Sequence, residues 1–103
     1  MIARLFRGRT TTENAEAYLA HLRGDTLPRL AALDGYSGAY VLRRDANLGV
    51  DFIVVTLWAS TEAIRAFAGA DYEMAVIPDE ARRLLAAFTH RADHYVVAVT
   101  DRY

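Results

Sequence analysis

The amino-acid sequence predicts a single α+β domain, spanning residues 1–103, in which helices cover one face of a four-stranded antiparallel sheet. Runs rich in β-branched and aromatic residues alternate with segments of helical periodicity in the order β-α-β-β-α-β. A polar turn at residues 45–49 separates the second and third strands, as in a hairpin. Two βαβ halves that meet at a hairpin form the ferredoxin-like pattern, which is the fold class that we predict.

The first half of the chain contains a strand and a helix. Residues 2–9 alternate between two faces and predict strand one. Thr10 and Glu13 have the spacing of a capping box, which predicts the start of helix one. Gly24 is expected to end this helix, and a short helical piece follows near Pro28. The buried stripe of helix one consists of Ala15, Tyr18, Leu19 and Leu22.

The second half contains three strands and two helices. Residues 36–44 predict strand two, and residues 51–58 predict strand three. Ser60 is a good N-cap for helix two, because its hydroxyl can accept a hydrogen bond from a free amide of the first turn. Another helix is predicted from residue 78 to residue 88, and residues 94–100 predict strand four.

Composition and pattern indicate a homodimer. The hydrophobic fraction of 53% is high for a chain of 103 residues, and a domain this small buries a limited share of its surface alone. The strands are apolar on both faces, so a second copy of the sheet would cover the face without helices. Tyr36 and Tyr40 are expected on one face of strand two, where they fill the dimer interface or bind substrate.

Charge and motifs exclude several function classes. A net charge of −1 gives no electrostatic basis for binding nucleic acid or an anionic membrane. The chain lacks cysteine and a signal-peptide pattern, so we expect a cytoplasmic protein without disulfides or thiolate chemistry. No metal site is predicted, because the histidines lack metal-ligand spacing; they are His21, His90 and His94.

Several residues combine a structural and a functional interpretation. Trp58 is either a core residue whose indole N–H finds a carbonyl, or a surface on which an aromatic substrate stacks. His94 opens strand four, where it is a hydrogen-bonded strand-end residue or a base for a phenol. Arg4 lies in mid-strand, where an unpaired charge is costly, so it forms an ion pair or meets an anionic ligand. Tyr18 and His21 either pack helix one or line a pocket.

The sequence resembles the antibiotic biosynthesis monooxygenase domain of the dimeric α+β-barrel superfamily. The resemblance covers nearly the whole chain and is carried by segments at 1–4, 13–18, 35–44, 57–69 and 93–97. It implies a dimeric α/β barrel and a cofactor-independent monooxygenase, needing no metal or flavin, that acts on a small electron-rich aromatic substrate such as a phenol, quinol or polyketide. The alternative is a non-catalytic protein of this fold that binds a small ligand or serves in a stress response.

The resemblance also assigns roles. His94 would remove a proton from the substrate, Arg4 would stabilise the anion, and Trp58 and Phe67 would form walls around the ring. Tyr72 belongs to a segment that borders the mouth of the pocket in this fold.

The sequence departs from two branches of the family. Haem-degrading members keep a tryptophan and a histidine where this chain has Phe67 and Ile77, and they keep an asparagine in strand one, which this chain lacks. Polyketide oxygenases keep an asparagine where this chain has Val54.

Overall fold

The computed structural model describes residues 1–102. Its helices and strands follow the predicted order with additional short elements. They are β1 (Ile2–Thr10), α1 (Ala15–His21), a π-helical turn (Leu22–Thr26), α2 (Leu27–Ala31), β2 (Tyr36–Ala46), β3 (Gly49–Trp58), α3 (Thr61–Ala68), α4 (Asp79–Leu84), β4 (Leu85–Phe88) and β5 (Asp93–Val96).

All strands belong to one antiparallel sheet in the order β2-β3-β1-β4, and β5 also pairs with β1. β4 pairs with residues 8–10 of β1, whereas β5 pairs with residues 2–5. The two short strands therefore lie along one edge of β1 and act as a single interrupted strand. This arrangement confirms the predicted ferredoxin-like fold.

The predicted helix over residues 78–88 is wrong in its last part. α4 ends at Leu84, and Leu85–Phe88 is the strand β4. Leu85 is buried as the first residue of β4, and the free edge of β1 offers backbone partners that an isolated helix end lacks. The predicted strand over residues 94–100 is also too long, because β5 ends at Val96 and the Val97 amide already bonds to the carbonyl of Met1, the first residue of the chain, at 3.0 Å.

Two predictions about helix one are wrong. Gly24 does not end the helical region, which continues through the π-helical turn into α2; Gly24 lacks the positive φ that a helix-terminating glycine adopts. Thr10 is not a cap, because it is the fully buried last residue of β1. The backbone amide of Asn14 instead donates a hydrogen bond to the hydroxyl of Thr11 at 3.2 Å.

A β-bulge divides the aromatic residues of β2 between the two faces of the sheet. The register shifts between Tyr36 and Gly38. Tyr36 packs edge-on against Trp58 on the helix-covered face, whereas Tyr40 pairs with Val55 on the open face. The prediction that the two tyrosines share a face is therefore wrong, because one inserted residue reverses the side on which the following side chains lie.

The core lies between the helices and the even-numbered residues of β3. One cluster surrounds Phe52 and Tyr18, and a second surrounds Trp58, Ile64 and Leu30. None of the helices in residues 1–102 has the length and hydrophobicity that crossing a membrane requires.

Candidate functional site

A small cavity lies between the helix-covered face of the sheet, the helices and the segment before α4. Its volume is about 60 Å³. The side chains around it are mostly apolar; the cavity is lined by Arg4, Phe6, Tyr18, Leu22, Thr26, Leu30, Val54, Thr56, Phe67, Ala75, Val76, Ile77, Pro78 and Ala81. A cavity that holds benzene measures about 150 Å³, so an aromatic ligand requires this cavity to widen.

Arg4 brings a buried positive charge to the cavity. It is 4% exposed, and its guanidinium lies 5.7 Å from the centre of the Phe67 ring. Nη1 donates to the Tyr72 carbonyl and to His94 Nε2 at 2.9 Å, and Nη2 donates to the Met74 carbonyl at 2.8 Å. Burial lowers the pKa of Arg4. Within residues 1–102 no carboxylate pairs with Arg4, so dipoles alone compensate its charge.

The contact with Arg4 fixes the state of His94. The two residues face each other across β1 and β5. A guanidinium only donates hydrogen bonds, so His94 Nε2 must accept and the ring proton must lie on Nδ1. Nδ1 is buried and has no hydrogen-bond partner among the described residues. Desolvation and then the charge of Arg4 lower the pKa of His94, against smaller opposing effects of Glu73 and Asp93. His94 is therefore neutral at pH 7, and Arg4 occupies its lone pair.

Trp58 lies behind the cavity rather than in its lining. It is fully buried, and its indole N–H donates to the Thr56 hydroxyl at 2.9 Å. Its ring stacks on Phe67 with centroids 5.5 Å apart and an interplanar angle of 21°. Trp58 thus supports Phe67, which forms the wall next to Arg4.

The other predicted residues divide between the lining and the layer behind it. Tyr18 lines the cavity, and burial raises its pKa to about 12, so its phenol stays protonated. His21 does not line the cavity; its Nε2 lies 3.2 Å from the hydroxyl of Thr26, which does. Tyr72 contributes its carbonyl to Arg4 and packs its ring edge-on against His94 at 5.0 Å.

The segment that contains Tyr72, expected from the resemblance at the mouth of the pocket, forms one wall of the cavity. Residues 71–78 connect α3 to α4 with little regular structure, and they contribute both carbonyls that bind Arg4. Arg91 holds this segment from outside through Asp71 at 2.8 Å and Glu73 at 3.1 Å. Residue types do not indicate which backbone carbonyls will face a buried charge, so the contacts of this segment with Arg4 were not predicted.

Within residues 1–102 no group of three or more His, Asp or Glu side chains is arranged to hold a metal ion. A larger groove of about 650 Å³ lies on the other side of the sheet. Arg9 and Arg44 in this groove both contact Asp51, at 2.7 and 3.4 Å. Arg43 pairs with Glu16 and Asp45, and Arg7 is exposed. The groove thus offers no unpaired buried charge comparable with Arg4.

Several solved structures share this fold. A proposed antibiotic biosynthesis monooxygenase from Deinococcus radiodurans has a TM-score of 0.68 and 15% identity, covering 100% of this chain and 98% of that chain. The cofactor-independent oxygenase SnoaB from Streptomyces nogalater has a TM-score of 0.60 and 16% identity over 97% of each chain. The heme-degrader MhuD from Mycobacterium tuberculosis, with two hemes bound in its active site, has a TM-score of 0.59 and 17% identity, covering 97% and 99%.

No family model matches the sequence, and no curated protein matches it significantly. At identities of 15 to 17% the likeness to these structures shows the fold. The resemblance predicted from the sequence is confirmed at that level.

Proposed function

We propose that this protein, which has the fold of the antibiotic biosynthesis monooxygenases, is a cofactor-independent monooxygenase for a small electron-rich aromatic substrate. The observation that carries the proposal is the buried guanidinium of Arg4, which lines an apolar cavity and lacks a carboxylate partner within residues 1–102. A fixed positive charge attracts an enolate or phenolate far more strongly in a site of low dielectric constant than the same charge would in water.

The substrate anion supplies the electrons. It transfers one electron to O₂, the two radicals combine to a hydroperoxide, and loss of water leaves a carbonyl. In sum, a CH₂ group of the substrate and O₂ become C=O and H₂O, with the proton of the CH₂ group released first and regained by the peroxide.

The residues around the cavity have separate roles in this proposal. Arg4 binds the anionic oxygen, and Phe67, supported by Trp58, forms the wall against which the ring packs. Tyr18 stays protonated and adds no negative charge. His94 orients the guanidinium through its Nε2 contact, because its lone pair is not free to take a proton in this arrangement.

Oxygen uptake with a panel of anthrones and hydroquinones tests the proposal. Removing one donor that stabilises an oxyanion costs a factor of about 10² to 10³ in rate, and Arg4→Met should lose at least that much. Arg29→Met is the matched control, because Arg29 is an exposed arginine of α2 that pairs with Asp25. Rates equal to the uncatalysed background across the panel would exclude the oxygenase.

A binding protein without turnover is the second candidate. The small cavity and the occupied lone pair of His94 favour it, because both agree with a site that holds a ligand and leaves it unchanged. Saturable binding of an aromatic anion without oxygen uptake would support this function over the first.

We also propose that two copies assemble through the open faces of their sheets. Tyr40 and Leu42 on this face are 64% and 48% exposed. Half-buried apolar residues surround them; these are Ala3, Leu5, Ile53, Val55 and Leu57. A continuous apolar face of this kind is typical of a protein–protein interface.

Light scattering after size-exclusion chromatography tests the dimer. Leu42→Glu should give a monomer, because two carboxylates would meet in a desolvated interface. Leu48→Glu makes the same change in the β2–β3 turn, where the leucine is 87% exposed, and should remain dimeric. A monomeric wild type at tens of micromolar would contradict the proposal.

A further inference from the structure

We infer that the site selects aromatic molecules that are already anionic when they enter it, with Arg4 as the residue that determines this specificity. The anionic group is an ionised oxygen acid, either an acidic enol or phenol or a carboxylate. The inference that the protein oxidises such anions rests on the proposed monooxygenase function. The inference that the site binds them does not depend on that function.

Arg4 has hydrogen-bond donors that no described residue uses. A guanidinium has five N–H donors. Three of them bind the carbonyls of Tyr72 and Met74 and the ring of His94. The Nε–H and one N–H of Nη2 have no acceptor among residues 1–102. Elsewhere in this chain Arg9 uses Nε and Nη2 together to bind the two oxygens of Asp51, at 2.7 and 3.2 Å. A ligand oxyanion would give Arg4 the partner that Arg9 already has.

No free base lies beside Arg4 in the described part of the chain. His94 offers only its Nε2 lone pair, and Arg4 occupies it. Glu73 is half-exposed and paired with Arg91. Asp93 pairs with Leu5, so its side chain lies on the open face of the sheet. Without a base in the site, the proton must leave the substrate in solution.

The remaining titratable groups near Arg4 do not change this conclusion. Tyr18 is a protonated phenol on the cavity wall, and the Tyr72 ring packs against His94. Arg65 lies over the Tyr72 ring at 5.1 Å and adds a second positive charge on this side. The surroundings therefore favour an incoming anion and disfavour a protonated His94.

The residues that line the cavity indicate which class of ligand fits it. Apart from Arg4, the cavity presents mainly aliphatic and aromatic side chains, including Phe6, Val54 and Phe67. One charged donor in an apolar site suits a ligand with one oxyanion on an apolar ring. A neutral ligand of the same shape would leave the donors of Arg4 desolvated and unpaired.

Benzoate and benzamide form a matched pair of probes for binding. They have nearly the same shape, and only benzoate carries a charge at pH 7.5. We expect the wild type to bind benzoate roughly ten- to hundredfold more tightly, as measured by chemical-shift titration, since a hydrogen bond to a charged group is worth that ratio. Arg4→Met should reduce the ratio to about one, and Arg29→Met should leave it unchanged. Equal affinities in the wild type, no benzoate binding at millimolar concentration, or a ratio that survives in Arg4→Met would overturn the inference.

A pH profile tests the same inference for the reaction. Oxygen uptake by the wild type should rise with pH at a midpoint that follows the acidity of each of two substrates whose pKa values differ by two or more units. A midpoint shared by both substrates would indicate a base in the protein and would contradict the inference. If the wild type takes up no oxygen, the monooxygenase proposal fails, and the benzoate–benzamide ratio still decides whether the site selects anions.

Discussion

The turn between β2 and β3 makes the fold sensitive to a single methyl group at Gly49. This residue opens β3 with a φ of +153°, next to the buried end of β1. An ideal Cβ at this position would lie 2.3 Å from the carbonyl oxygen of Thr10 and 3.5 Å from Arg9 Cγ. Since the closer atom belongs to the backbone of a paired strand, no side-chain rotation can relieve the contact.

The expected loss for Gly49→Ala follows from two costs. A residue with a side chain at this φ is strained by about 1 to 3 kcal/mol. Forcing an extra carbon into packed structure costs about 1 to 3 kcal/mol more. We therefore expect a loss of about 2 to 6 kcal/mol, which lowers the urea midpoint by roughly 1 M or more at an m-value of about 1 to 3 kcal/mol/M.

Gly24→Ala makes the same chemical change, but we expect it to raise the free energy of unfolding and not to lower it. A Cβ at Gly24 would meet no heavy atom within 4 Å, and the residue lies in the helical region without a positive φ. Alanine should stabilise the chain there by about 0.5 to 1 kcal/mol. Urea unfolding at one protein concentration, followed by circular dichroism, measures both variants. A loss below about 1 kcal/mol for Gly49→Ala, or equal losses for the two variants, would refute the packing argument.

Two further predictions concern the surroundings of the cavity. Because burial and the neighbouring arginine lower the pKa of His94 from its ordinary value of 6.5, the unfolded chain binds that proton at a higher pH than the folded chain. The stability that comes from keeping His94 neutral should be fully present above about pH 6.5. Below that pH the free energy of unfolding should fall by at most about 1.4 kcal/mol per pH unit. His94→Asn should flatten this pH dependence in urea titrations. Arg91→Gln removes the ion pairs to Asp71 and Glu73. The amide of Ala75, which donates to the carbonyl of residue 90 at 2.9 Å, should then exchange with deuterium faster than in the wild type. Unchanged exchange would show that Arg91 does not hold the segment.

Local sequence signals predicted most of the architecture. The order of strands and helices is confirmed, and Ser60 caps α3, where its hydroxyl accepts from the Ala63 amide at 3.2 Å. Errors arose where tertiary pairing overrides local periodicity, as in β4, where Leu85 fits a helical stripe by its spacing but is buried in a strand. The bulge in β2 had one available signal, Gly38, because a glycine inside a strand often marks such an irregularity.

The candidate site was predictable only in part. An arginine in the middle of an apolar strand is conspicuous, and Arg4 is buried at the cavity. Its contact with His94 depends on the register between β1 and β5, which places Arg4 directly opposite His94. Residue types do not encode that register, and they do not show that the lone pair of the histidine faces the guanidinium rather than a ligand.

Arg4→Met separates a ligand-binding role of the arginine from a structural one. Burying a guanidinium costs several kcal/mol in desolvation, and its three hydrogen bonds offset this cost. Methionine fills a similar space without that desolvation, and the freed carbonyls belong to a segment whose Met74 side chain is 46% exposed, so water can reach it. We therefore expect a change in stability within about 1 kcal/mol, together with loss of the stabilisation that millimolar benzoate gives the wild type. A loss above about 3 kcal/mol would identify Arg4 as a structural anchor of the wall at residues 71–78, because only a guanidinium needed to hold those carbonyls would cost so much to remove.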